Sequence, residues 1–150
     1  EDEDEEEYPI QRLCLSNENK CNVKAASFIA LVARLAIDFH SFEDHERGGL
    51  LIENIDDCDN IFNNLMDNFV VYADQSDLLL TLFIRLRRMG LFKKDDIRRY
   101  DLVSSSCFQT DSAERGHRFL VEWAPISLLH MDEDYGWSPL HWAARTNIRG

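Results

Sequence analysis

The chain has no apolar run of membrane-spanning length. Its longest stretches free of Asp, Glu, Lys, Arg and His are nine residues, as in Ala25–Ala33, against about 18 for a spanning helix. Basic residues are in the minority: 16 Lys and Arg face 28 Asp and Glu, for a formal charge of −12. That balance excludes a generally basic nucleic-acid binder. Four cysteines, Cys14, Cys21, Cys58 and Cys107, are scattered with no two spaced as C-x-x-C. Nothing forces a disulfide, although Cys14 and Cys21 could form one. The opening is acidic rather than basic and apolar, unlike a secretory signal. With the scattered thiols, this places the chain in a reducing compartment, cytoplasmic or nuclear. No methionine stands first, so the sequence reads as a fragment or processed product. It contains no phosphate-cradling glycine loop, no G-x-S-x-G and no nucleophile beside an obvious base. A non-catalytic chain without cofactor is the expectation.

What is present is one domain's worth of ordinary globular composition. The 150 residues are 45% hydrophobic and 29% charged, and a chain this long buries roughly 70% of the surface its unfolded form exposes. Glu1–Glu7 is an unbroken acidic run that supplies −7 of the charge, leaving 16 basic against 21 acidic residues, or −5, from Tyr8 onward. Like charges in a block repel, so residues 1–8 are expected to form a disordered acidic tail.

The apolar periodicity is helical throughout. Val23–Phe39 has its polar residues Lys24, Ser27, Arg34 and Asp38 within about an 80° stripe at 100° per residue. A helix so apolar is expected to be buried on most sides. Ser41–Gly49 is polar, ends in Gly48 and Gly49, and reads as a loop. Ile55, Cys58, Phe62, Leu65, Phe69 and Tyr72 then form a helical seam, with Asp57, Asn60, Asn63, Asn64 and Asp67 opposite. Ser76 reads as an N-cap for a helix with apolar residues at Leu78, Leu79, Leu82, Phe83, Leu86 and Met89, which Gly90 terminates. A short helix is expected from Asp95 to about Val103, with its acids at the start. Ser104–Ser106 reads as a loop and a soft boundary. The organisation expected is therefore a tail over 1–8, a helical domain over 9–103 and a distinct segment over 108–150.

That last segment carries the most specific pattern in the chain: Gly136-Trp137-Ser138-Pro139-Leu140-His141-Trp142-Ala143-Ala144. Ser138 can cap a helix and Pro139 suits the first helical position, where its missing N–H is not needed. Leu140, Ala143 and Ala144 give a small apolar face for close helix stacking. The run resembles the ankyrin-repeat signature G-x-T-P-L-H-x-A-A, with Ser138 in place of Thr. The resemblance covers about 110–150 and is tight in its last ten residues. Before them, Gly116–Val121 is similar to the turn and start of a second ankyrin helix, and Pro125 cuts that helix short. The acid three before Gly136 is Glu133 where the family has Asp. Asn147 stands at a turn-glycine position, which Asn tolerates.

The resemblance implies an all-α chain, in which a helical bundle or solenoid-like unit leads into a truncated, divergent ankyrin-like segment. Such units need about three repeats for stability, so it also implies further repeats downstream, with the upstream helices as a cap. The function implied is protein–protein recognition. By position, the partner-binding residues are Asp134, Tyr135 and Trp137 at a hairpin tip and Arg145 and Thr146 on the helix. Gly136, Ser138, Pro139, Leu140, His141, Ala143 and Ala144 are structural, His141 tying turns together by hydrogen bonds.

Two other constellations compete. His40, Glu43, Asp44 and His45, with Cys14 and Cys21, lack the spacing of a known zinc motif, and no metal is expected. Arg85, Arg87, Arg88, Lys93, Lys94, Arg98 and Arg99 gather seven basic residues within fifteen positions. They can form a solvated face, receive the acidic tail, or bind nucleic acid or phosphate electrostatically. The acidic whole argues against nucleic acid.

Overall fold

The computed structural model describes residues 8–13, 23–53, 60–71, 76–107 and 114–147. Among them there are helices and turns but no strand. None of these helices is long and apolar enough to cross a membrane. The helices are α1 (Pro9–Arg12), α2 (Val23–Ala26), α3 (Ile29–Asp38), α4 (Ile61–Val71), α5 (Ser76–Arg88), α6 (Lys94–Arg99), α7 (Leu102–Cys107), α8 (Glu114–Trp123) and α9 (Pro139–Asn147). They form two compact units, Glu1–Leu65 and Met66–Gly150, divided within α4 rather than at Ser104–Ser106. Glu1–Glu7, Cys14, Cys21 and Cys58 lie outside the described residues.

In the first unit, Tyr8 belongs to the fold and not to a tail. Its carbonyl accepts from Gln11 N–H, and its ring meets Phe42 edge-on at 5.5 Å. The expected helix over 23–39 is two segments, α2 and α3. Between them, the Ser27 hydroxyl donates to the Lys24 carbonyl at 2.6 Å, the local competition by which serine interrupts helices. Nor is this helix buried on most sides. Ala26, Ile29, Ala30 and Ala33 face inward, while Phe28, Leu31, Leu35 and Phe39 are exposed. At Ala33 small size matters, because a glycine backbone comes close. A Cβ on Gly48 would stand 2.2 Å from the Ala33 carbonyl oxygen, and one on Gly49 would stand 2.9 Å from Ile10 Cγ2. Both glycines have positive φ, +66° and +90°, which glycine adopts without penalty.

Helix α4 starts at Ile61, because Asn60 caps it. The Asn60 side-chain oxygen accepts from the N–H groups of Phe62 at 2.9 Å and Asn63 at 3.2 Å. Assigned to a wet face by its spacing, Asn60 is buried at the helix entrance. The first residues of the longer helix expected over 55–72 lie outside the described residues.

The second unit is organised around α7, which packs against α6, α8 and α9. This is the serine run expected to be a loop. The Ser106 hydroxyl donates to the Val103 carbonyl at 2.6 Å, so the helix satisfies it internally, and three small side chains let neighbours approach. The short helix expected from Asp95 is also interrupted, by Asp101 in the left-handed region at φ +51° between α6 and α7. Helix α5 ends as its sequence indicates. Gly90 has φ +72°, Leu91 N–H donates to the Leu86 carbonyl, and Gly90 N–H donates to the Arg87 carbonyl, the paired bonds of a Schellman termination. Phe83, Phe92 and Trp123 stack edge-on at 5.0 and 5.1 Å to bind α5, the following turn and α8. Gly116, expected in a turn, is buried within α8. Pro125 does end that helix, opening a 3₁₀ segment, Pro125–Leu129, that packs on α9.

Candidate functional site

The site builds from the loop that enters α9. Asp132 closes it. The Asp132 N–H donates to the Trp137 carbonyl at 2.9 Å and its carbonyl accepts from Gly136 N–H at 3.0 Å. Its carboxylate accepts from Tyr135 N–H at 2.6 Å, Trp137 N–H at 3.2 Å and the Trp142 indole N–H at 2.9 Å. One side chain thus braces both ends of the tip and the first turn of α9. Gly136 turns the chain at φ +64°. Desolvation acts to raise the Asp132 pKa, but the hydrogen bonds from Tyr135, Trp142, Trp137 and Asp134 together outweigh it and hold the carboxyl below its ordinary value. A depressed pKa contributes stability that is present above the unfolded value and lost as pH falls through the folded one. Acidification below about pH 4 is therefore expected to loosen the tip, read as a red shift in tryptophan emission. Asp132→Asn is expected to abolish that acid transition, and an unchanged transition in the variant would assign it elsewhere.

The same device opens α9. Ser138 N–H donates to His141 Nδ1 at 3.1 Å, and the Ser138 hydroxyl lies 2.8 Å from the same nitrogen. His141 is thus the third helical residue reaching back to the cap, a half capping box. Its Nδ1 is the acceptor, so the ring proton sits on Nε2. Gln11, Glu46 and Asp96 reach back in the same way to the N–H groups of Tyr8, Glu43 and Lys93.

The aromatic residues of the tip pack on one another. Trp137 and Trp142 have centroids 4.8 Å apart, and Tyr135 lies 5.9 Å from Trp137 and 5.6 Å from Trp142. The Arg145 guanidinium sits over Trp137 at 5.3 Å and Trp142 at 5.9 Å. Of the residues expected to bind a partner, Asp134, Tyr135 and Arg145 are exposed and Trp137 is half-buried. Thr146 instead turns inward, its hydroxyl within donating distance of the Ala143 and Cys107 carbonyls. Within the motif, Pro139 and Trp142 are buried and Ala143 half-buried, while Leu140 and Ala144 face outward. Leu140 is 76% exposed. The apolar surface extends onto the neighbouring segment, where Ile126, Leu129 and Met131 are exposed.

Asp132 and this 3₁₀ surface escaped the motif reading, which included Trp142 but gave it no role. Asp132 stands four, not three, before Gly136. Its signal was available as an Asp three residues before a turn N–H.

Electrostatically the region is acidic. Burial raises the Asp101 pKa; His130, with Nε2 3.5 Å from its carboxylate, opposes this, while Asp132, Glu133 and Asp134 add to it. Burial also raises the Cys107 thiol, leaving it protonated and unreactive at neutral pH. Ser106 lies 2.7 Å from His117 Nδ1, a serine–histidine pair. The hydroxyl is enclosed and donates to its own helix, and with its proton so placed the ring nitrogen is the donor to it. Burial lowers the His117 pKa, so the unfolded chain takes up the proton first. Stability is then complete above about pH 6.5 and falls on acidification. A drop in Tm between about pH 7.5 and about pH 5.5 is expected, flattened by His117→Gln. An equal drop in that variant would contradict the assignment.

The seven cations of the basic cluster are all exposed. Among the described residues, no group of three or more His, Cys, Asp or Glu converges to hold a metal, His40, Glu43, Asp44 and His45 included. Comparison with family models, curated proteins and solved structures yields no match.

Proposed function

We propose that the C-terminal part of the second unit is a protein-docking surface. In this reading it opens a divergent ankyrin-like helical array, and the chain acts by binding another protein. The observation that carries it is Leu140. In the motif this leucine belongs to a face made for helix stacking, yet here it is 76% exposed, and the 3₁₀ segment that packs on α9 and the residues after it expose Ile126, Leu129 and Met131. Apolar surface gathered on adjacent elements marks an interaction site. Tyr135 and Arg145, residue types that dominate interface energetics, are exposed on the tip and on α9 against Trp137 and Trp142, and the tip is already ordered by Asp132. Pre-ordering reduces what binding loses in side-chain freedom.

The test is affinity purification from native cell extract with Tyr135→Ala/Arg145→Ala, both exposed positions, so the fold should survive. Recovery of the specific partner is expected to fall about tenfold, equivalent to 1.4 kcal/mol, with the helical circular dichroism unchanged. Arg85→Glu/Arg88→Glu should retain it. The reverse pattern would move the function to the basic cluster.

A further inference from the structure

The cationic face of the second unit is not consumed by the docking surface just described. Arg85, Arg87 and Arg88 occupy the last turn of α5, and Lys93, Lys94, Arg98 and Arg99 lie at the start and end of α6. The Gly90 termination joins the two through a short turn, in which Phe92 N–H donates to the Leu86 carbonyl. All seven are exposed. The two acids within the segment, Asp95 and Asp96, leave it a formal charge of +5. Asp96 is buried and accepts from Lys93 N–H at 2.7 Å, leaving Asp95 as the exposed carboxylate.

Two of the arginines are pre-oriented. The Arg87 guanidinium lies 4.3 Å from the Trp123 centroid and 5.9 Å from that of Phe119, and the Arg99 guanidinium lies 5.5 Å from that of Tyr100. A guanidinium resting on a ring keeps its N–H edge available and has little left to lose on pairing with a carboxylate. The same rings argue against nucleic acid, whose single strands bind by stacking bases on open aromatic faces. Here Phe92 is buried, and Trp123 and Tyr100, both half-buried, each have an arginine over them.

We infer that this face docks a short acidic peptide segment, its carboxylates pairing with the arginines held by Trp123 and Tyr100. The chain itself contains a segment of that chemistry, Glu1–Glu7, seven acids against the seven cations.

The test is fluorescence anisotropy of a labelled peptide of residues 1–8, added to the full chain carrying Gln and Asn in place of those seven acids. Glu1–Glu7 then cannot compete with the probe. Saturable binding is expected, weakening steeply with salt, reduced about tenfold by Arg85→Glu/Arg88→Glu. Arg87→Lys should reduce it several-fold although the charge is kept, which separates held arginines from a diffuse positive field. The Gln and Asn version of the peptide should not bind. Three results would each overturn the inference: no binding by the neutralised chain, equal binding by the charge-reversed variant, or tighter binding of a single-stranded DNA oligonucleotide than of the peptide at the same salt.

Discussion

Gly48→Ala is expected to destabilise the first unit by about 3 kcal/mol or more. Two terms add. A side chain at φ +66° is strained by about 1 kcal/mol, and the new Cβ would stand 2.2 Å from the Ala33 carbonyl oxygen. Backbone must then separate from backbone, an overpacking penalty of about 1–3 kcal/mol. Gly90→Ala is the control. Its φ is +72°, but nothing lies within 4 Å of the added Cβ, so it should cost only about 1 kcal/mol. Urea unfolding of both variants measures the difference, and equal losses would show that strain alone, not the approach to α3, holds the glycine there.

Trp142→Ala is expected to be nearly as severe for the second unit, about 3 kcal/mol, in the range for removing a large buried aromatic. Trp142 is 8% exposed and meets both Tyr135 and Trp137. Its loss also removes one of the bonds that hold the Asp132 carboxylate, so the acid-induced loosening of the tip should begin at higher pH in this variant. Trp142→Phe keeps much of the packing but not the indole N–H. It should show the shifted acid transition with a smaller loss of stability. If Trp142→Phe behaves like the parent at low pH, the indole bond does not brace the loop.

The helical class, the Gly90 termination, the Pro125 break and the start of α9 at Pro139 were legible because each is fixed locally. Periodicity, a left-handed glycine and a missing N–H are properties of a few adjacent residues. The misreadings have other causes. Ala30 and Ala33 are less hydrophobic than Leu31 and Leu35, yet they are the buried pair, and the Gly48 backbone comes close against Ala33. Ser104–Ser106 has the composition of a loop, yet forms the helix against which α6, α8 and α9 pack, where small side chains matter more than helix propensity. Asn60 sits at the polar phase of its helix and is buried as its cap. The alanines and the serine run are decided by what comes near in space, which spacing along one segment does not encode; the Asn60 cap is local, but it falls inside an apolar repeat that reads as one longer helix. At the candidate site the motif located the tip and α9, but the residue that organises them is Asp132. Its carboxylate joins a turn to an indole ten residues on.

The reading of the C-terminal segment as a docking surface is tested most directly at Leu140. A photo-crosslinking amino acid placed there should yield a discrete protein adduct in native cell extract, suppressed by excess unmodified chain. The same group at Leu78, an exposed leucine on α5, should give none. An adduct at Leu140 no stronger than at Leu78, or one indifferent to competition, would contradict it.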